Sequence, residues 1–130
     1  MNSDRKKPEP VLDRKVLQRQ SDDLGAEDLQ APIIRRLVAT FVENAQATVP
    51  LIEKEVSEGR LKPVADMVHQ LKSGALFVGA QAFARHCTDL KRAAKQRDLG
   101  SARRLTEQLP HLFGKTRARL EAEVGPVLEE

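Results

Sequence analysis

Tryptophan and tyrosine are absent from this chain, and it has only four phenylalanines and one cysteine. A single cysteine excludes an internal disulfide. No apolar run approaches the roughly 18 residues that a transmembrane helix needs. The first ten residues carry basic side chains without the apolar stretch of a secretory signal. These absences predict a soluble, cytoplasmic protein that does not bind membranes.

The residues that are abundant favour helices over sheets. The 130 residues are 40% hydrophobic and 32% charged, and Leu, Ala, Val, Arg, Glu and Lys dominate. This composition predicts a single all-α domain and argues against a β-sandwich or a doubly wound sheet.

Positive charge is concentrated in the second half of the chain. The net charge is +3 overall, which is too small by itself to indicate nucleic-acid binding. Between Arg85 and Arg104, however, seven basic residues stand against two acidic ones. We call this stretch the basic segment, and it favours either a solvated helix face or an acidic protein partner.

Apolar residues recur at intervals of three and four along four consecutive segments, which predicts four core-facing helices. The first of them covers about 28–57, and the second opens at Pro63 and ends before Gly79. The third carries the stripe from Ala80 to Ala94, and the last follows a turn at 98–101. A shorter helix over about 13–23 precedes all four, with Asp13 as its N-cap. Two prolines lie inside helical patterns that continue through them, so bends are expected there and not breaks: Pro50 and Pro110.

Short connections between these segments predict an antiparallel four-helix bundle with a short additional N-terminal helix. We place this domain at 11–124, between a disordered tail at 1–10 and a C-terminal tail at 125–130.

His69 stands apart from the apolar stripe of its helix. With about 100° per residue, His69 projects roughly 130° from the centre of the stripe and Lys72 roughly 70°. Ala65 and Ser73 lie one turn before and one turn after His69. Their small side chains leave free space on both sides of the ring. A neutral imidazole near pH 7 keeps a lone pair and can act as a nucleophile. A lysine one turn away can neutralise a phosphoryl group on the ring.

The order of residues around His69 is more specific than its spacing. Residues 69–80 read HQLKSGALFVGA, and Phe83, Cys87 and Leu90 follow. This series resembles the histidine-containing phosphotransfer (HPt) domain family, whose pattern is His-x-Leu-Lys-Gly, small residues, Gly-Ala, and a helix marked Leu-x-x-x-Cys-x-x-Leu-Glu. The resemblance covers about residues 11–122.

The resemblance implies a phosphoryl carrier that has no ATP site of its own and is not an enzyme. His69 would accept a phosphoryl group on Nε2 from one receiver-domain aspartate and pass it to another. Lys72 would stabilise that group, and Cys87 would be an inert core residue. The implied partners are receiver domains of response regulators and hybrid histidine kinases. Magnesium would belong to the receiver, so this chain would need no cofactor or metal and would act as a monomer.

Two positions depart from the family pattern. Ser73 stands where glycine usually follows the lysine, so its hydroxyl either hydrogen-bonds the phosphoryl oxygens or crowds the partner. Lys91 stands where a Glu or Gln usually accepts the proton on His Nδ1. A protonated lysine cannot accept that bond, so the tautomer-fixing role is vacant. Lys91 and Lys95 are expected to support the phosphoryl group instead.

Partner docking is predicted for four side chains near His69: Ala65, Leu76, Phe77 and Arg92. Leu76 and Phe77 fall outside the apolar stripe, so they either form a docking patch or lie buried under the short first helix.

Two other functions are compatible with such a bundle. A phosphorylation-silent adaptor would bind receiver or kinase domains without accepting phosphate, and Ser73 and Lys91 favour it. A nucleic-acid-binding bundle is disfavoured by the small net charge, the missing Trp and Tyr and the absence of a helix-turn-helix signature.

Overall fold

The computed structural model describes residues 10–128, which contain five helices and no strand. The helices are α1 (Arg14–Asp23), α2 (Pro32–Ser57), α3 (Lys62–Val78), α4 (Gln81–Lys95) and α5 (Leu99–Val124).

Helices α2 to α5 form the predicted antiparallel bundle. Each packs against two others, in the pairs α2–α3, α3–α4, α4–α5 and α5–α2, while α1 packs on α2 and α3. This closed ring of neighbours confirms a four-helix bundle with a short N-terminal helix.

The core is aliphatic along most of its length and aromatic at one level. Phe41 of α2, Phe83 of α4 and Phe113 of α5 pack against one another with ring centroids 5.5 to 6.4 Å apart. The two contacts of Phe41 are edge-to-face, a geometry that adds to the energy of burial. Three of the four bundle helices are thereby joined at a single point.

Both long helices run through their internal prolines without a break. Pro50 lies inside α2 and Pro110 inside α5, and each proline is exposed. Both helices therefore continue with the same apolar period although each proline lacks a backbone N–H donor, as the sequence predicted.

Two predicted helix starts were wrong. Helix α2 begins at Pro32 and not near 28, because Asp28 forms a turn in which its side chain accepts from the Gln30 N–H at 2.9 Å. Helix α5 begins at Leu99, inside the predicted turn. Asp98 caps it by accepting from the Ser101 N–H at 3.1 Å, so Asp98 takes the capping position.

The turn between α3 and α4 is fixed by glycine and by the N-terminal segment. Gly79 has a left-handed φ of +83°, and a Cβ there would lie 2.6 Å from the Asp13 carbonyl oxygen. The Gly79 carbonyl accepts from the Asp13 N–H at 2.8 Å, and the Pro10 carbonyl accepts from the Ala82 N–H at 3.0 Å. This turn sets how α3 and α4 align.

The two predicted tails differ in what can be described. The tail at 1–10 lies outside the described residues, apart from Pro10. Of the C-terminal tail, Val127 and Leu128 are half-buried against the core. Arg35 donates to the Pro126 carbonyl, so this stretch packs back onto α2.

Candidate functional site

His69 lies in the middle of α3 on the solvent side, as the helical geometry predicted. Its neighbours Val68 and Leu71 are buried in the core, whereas His69 itself is exposed. The buried stripe therefore holds α3 so that the imidazole faces outward. Among residues 10–128, no hydrogen bond involves its Nε2 atom.

Lys91 of α4 reaches the other nitrogen of the ring. The antiparallel α3–α4 hairpin brings residues 69 and 91 to the same level, and Lys91 Nζ lies 3.2 Å from His69 Nδ1. An ammonium group has three donors and no acceptor, so Lys91 donates and Nδ1 accepts. Lys91 therefore contacts Nδ1 from the position where the family usually has a Glu or Gln, but it donates a hydrogen bond where that residue would accept one.

The Ser73 hydroxyl is bonded within its own helix. Its Oγ donates to the His69 backbone carbonyl at 3.3 Å, an i to i−4 bond that serine often makes in helices. In this rotamer the hydroxyl hydrogen is not directed at a group on the imidazole. Ser73 is exposed one turn from His69.

Lys72 lies between α3 and α4, on the flank next to His69. It is half-buried, and its positive charge acts on the Cys87 thiol. Lys72 also lines a shallow cavity of about 160 Å³ together with residues of both helices. The others that line it are Leu76, Gln81, Ala84, Arg85 and Thr88.

The Cys87 thiol is fully buried in the core. Burial raises the pKa of Cys87 to about 12, and the nearby Lys72 charge opposes this rise only in part. Because the thiolate is the reactive form, this cysteine is chemically inert near neutral pH, as predicted.

Ala65 and Lys95 lie at a second, larger concavity on the other side of His69. Its volume is about 850 Å³, and it opens between the start of α3 and the end of α4. Four basic residues and one acidic residue line it: Arg60, Lys62, Lys95, Arg97 and Asp66. The α3–α4 face is therefore positively charged on both sides of the imidazole.

Leu76 and Phe77 are exposed, by 44% and 49%. Burial under α1 is wrong for both, because α1 leaves these side chains uncovered, although Gln20 of α1 donates from Nε2 to the Phe77 carbonyl at 3.0 Å. Arg92 is also exposed and pairs with Asp89 at 3.3 Å. All three side chains are accessible to a partner.

Sequence reasoning did not place several residues of this face beside the site, although Arg85 and Arg97 belong to the basic segment. Thr88 and Arg85 lie on α4 beside Lys72, and Lys62 and Arg97 lie beside Lys95. Thr88 precedes Lys91 by three residues, so helical spacing could have placed it at the site. Arg97 could not be placed from spacing, because it follows the end of α4 with a positive φ of 58°.

The described residues hold neither a metal cluster nor a membrane-spanning helix. Over 10–128, no group of three or more His, Cys, Asp or Glu side chains could hold a metal ion. No helix in that range has the length and apolar character to cross a membrane.

The model of the Hpt domain family matches residues 36–123, more than half of the chain. This chain belongs to the Hpt domain family. Hpt domains are phosphoryl carriers that act in phosphorelays together with receiver domains and histidine kinases, and they have no ATP site of their own.

A solved structure supports the fold of this Hpt domain. The histidine-containing phosphotransfer protein B (HptB) of Pseudomonas aeruginosa PAO1 is 23% identical to the chain, with a TM-score of 0.77. The match covers 87% of this chain and 93% of HptB. No curated protein matches the chain.

Proposed function

We propose that this Hpt domain relays a phosphoryl group between receiver-domain aspartates through His69. The observation that carries the proposal is the exposed imidazole at the middle of α3, whose Nε2 makes no hydrogen bond within residues 10–128 and whose Nδ1 is in contact with Lys91. Family membership supports the same chemistry.

The transfer step needs one nucleophile and charge neutralisation. The Nε2 lone pair forms the N–P bond, and the P–O bond to the receiver aspartate breaks with its electrons left on the carboxylate. Lys72 stabilises the phosphoryl oxygens, while Lys91 and Lys95 add positive charge nearby. Positioning and electrostatics account for most catalysis in phosphoryl transfer.

Family membership indicates receiver domains as the partners, and the charge of the α3–α4 face supports them. Receiver sites are acidic and carry the magnesium ion, so they complement the basic segment and the two positively charged concavities beside His69. We assign docking contacts to Ala65, Leu76, Phe77 and Arg92. The receivers belong to response regulators and hybrid histidine kinases, and the carrier acts as a cytoplasmic monomer.

The decisive experiment is phosphotransfer from a labelled receiver domain to the chain and to His69→Gln. We expect acid-labile, alkali-stable label on the wild type and none on His69→Gln. His111→Gln is the matched control, because His111 is exposed on α5, away from the proposed site, and that variant should label like the wild type. Equal labelling of His69→Gln would disprove the proposal.

A phosphorylation-silent adaptor is the second candidate, and the donor at Nδ1 favours it. An ammonium bonded to Nδ1 selects the ring form that lacks a lone pair on Nε2. An adaptor would bind receiver domains with equal affinity before and after His69→Gln and would never carry label. Label on the wild type would rule it out.

A further inference from the structure

We infer that Lys91 acts as a positioning residue that holds Nδ1 of His69 unprotonated, which slows both the loading and the loss of the phosphoryl group. This inference rests on the proposed function. It starts from one contact, the 3.2 Å approach of Lys91 Nζ to His69 Nδ1.

The contact sets the tautomer of the resting ring. A neutral imidazole has one N–H and one lone pair. Because Lys91 can only donate, the lone pair is on Nδ1 and the proton is on Nε2. The nitrogen that faces the partner is therefore not nucleophilic while Lys91 stays in contact.

Loading then requires the contact to open. With Lys91 displaced, the proton moves to Nδ1 and Nε2 gains the lone pair. Attack on the receiver's acyl phosphate forms the N–P bond, and the aspartate leaves as a carboxylate. The phosphoimidazole keeps the Nδ1 proton, so the step balances in charge. Loss of that proton to water lets Lys91 bind Nδ1 again.

Release is slowed for the same reason. Imidazole is a good leaving group when Nδ1 carries a proton, because it departs as a neutral molecule. Without that proton the leaving ring has to take one from the Lys91 ammonium, which is a much weaker acid than a protonated imidazole. Lys91 competes with the proton for the Nδ1 lone pair, so the closed contact protects the phosphohistidine from water and from back-transfer.

No other side chain takes this position. Lys72 lies on α3 against the Cys87 side of α4, and Lys95 lies one turn beyond Lys91 at the larger concavity. Arg92 is turned toward Asp89. Within the described residues, Lys91 alone hydrogen-bonds the ring of His69.

The tautomer is measured first, on the unphosphorylated chain, by the ¹⁵N shifts of the His69 ring nitrogens. We expect the Nε2–H form in the wild type. In Lys91→Gln we expect the Nδ1–H form, because a Gln carbonyl accepts that proton. Lys115→Gln, at an exposed lysine of α5, is the control that removes the same charge away from the ring, and its ring should match the wild type. An Nδ1–H ring in the wild type, or no change in Lys91→Gln, would overturn the inference.

Phosphohistidine lifetime is measured second, after loading with phosphoramidate, a small-molecule phosphoryl donor. We expect Lys91→Gln to load faster and lose phosphate roughly three- to tenfold faster than the wild type, the size of one charge-assisted hydrogen bond at a partly exposed site. Lys115→Gln should keep the wild-type lifetime. Equal lifetimes in wild type and Lys91→Gln would refute the protective role.

The two measurements separate this inference from the carrier proposal. If His69 takes no label from any donor, the carrier function fails, whatever the ring tautomer is. If His69 labels normally but carries the Nδ1–H tautomer in the wild type, the carrier function stands and the role of Lys91 fails.

Discussion

At the scale of single residues, Lys72 is the side chain on which the transfer rate should depend most after His69. Its half-buried stem between α3 and α4 restricts where its ammonium can lie. Such pre-positioning of a charge is what makes it effective in a transition state. The ammonium group of Lys72 is therefore more restricted in position than that of a lysine on the open surface.

We expect Lys72→Ala to lower the rate of transfer from a phosphorylated receiver about tenfold or more, measured by rapid quench. Lys72→Arg keeps the charge and should retain most of the rate. Lys115→Ala, which removes an exposed cation of α5 outside the basic segment, is the control and should have little effect. A Lys72→Ala rate equal to the wild type would show that the charge plays no part.

The buried thiol gives a prediction about pH. The pKa of Cys87 is about 12 in the folded chain, against 9.0 for an unperturbed thiol. Only the unfolded chain releases the proton between these values, so the free energy of unfolding falls as the pH rises from 9 toward 12 and is unaffected below 9. Cys87→Ala should show a shallower decline over this range in denaturant titrations. An identical decline in both proteins would contradict the burial of the thiol.

At the scale of elements, the α3–α4 turn decides whether Lys91 and His69 meet. Gly79 combines a left-handed backbone with a close approach of the Asp13 carbonyl, so an added methyl group conflicts with both.

Gly79→Ala should lower the free energy of unfolding by roughly 2 to 4 kcal/mol. Gly114→Ala is the matched control, because Gly114 is exposed within α5 and a Cβ there would meet nothing within 4 Å. Alanine at that helical position should raise stability by up to about 1 kcal/mol. Chemical denaturation checks both, and a neutral Gly79→Ala would show that the N-terminal segment does not constrain this turn.

At the scale of the whole molecule, the sequence predicted the bundle because every core-facing helix has a periodic stripe. The predicted stripe of α3 is buried throughout. In α5, Ala102 and Leu109 are buried, yet Leu105 and Leu112 are only half-buried. Periodicity identifies the face of a helix, whereas the depth of each side chain depends on its neighbours across the bundle.

The site was predictable in position and less so in geometry. The exposure of His69 follows from helical phase, and its alignment with Lys91 follows from the hairpin. The contact between Nζ and Nδ1 depends on side-chain rotamers, which no sequence pattern specifies. Likewise, the sequence predicted a turn at 98–101 without identifying the capping residue, because Asp98 and Ser101 are equally good capping residues by type.

The central claim, that the chain carries phosphate between two aspartates, is tested most directly by a two-step relay. A labelled receiver domain is mixed with the chain and with a second, unlabelled receiver. The account predicts that label reaches the second receiver only when wild-type chain is present, passing through acid-labile phosphohistidine, and that His69→Gln blocks it. Label reaching the second receiver through His69→Gln, or never leaving the first, would contradict the account.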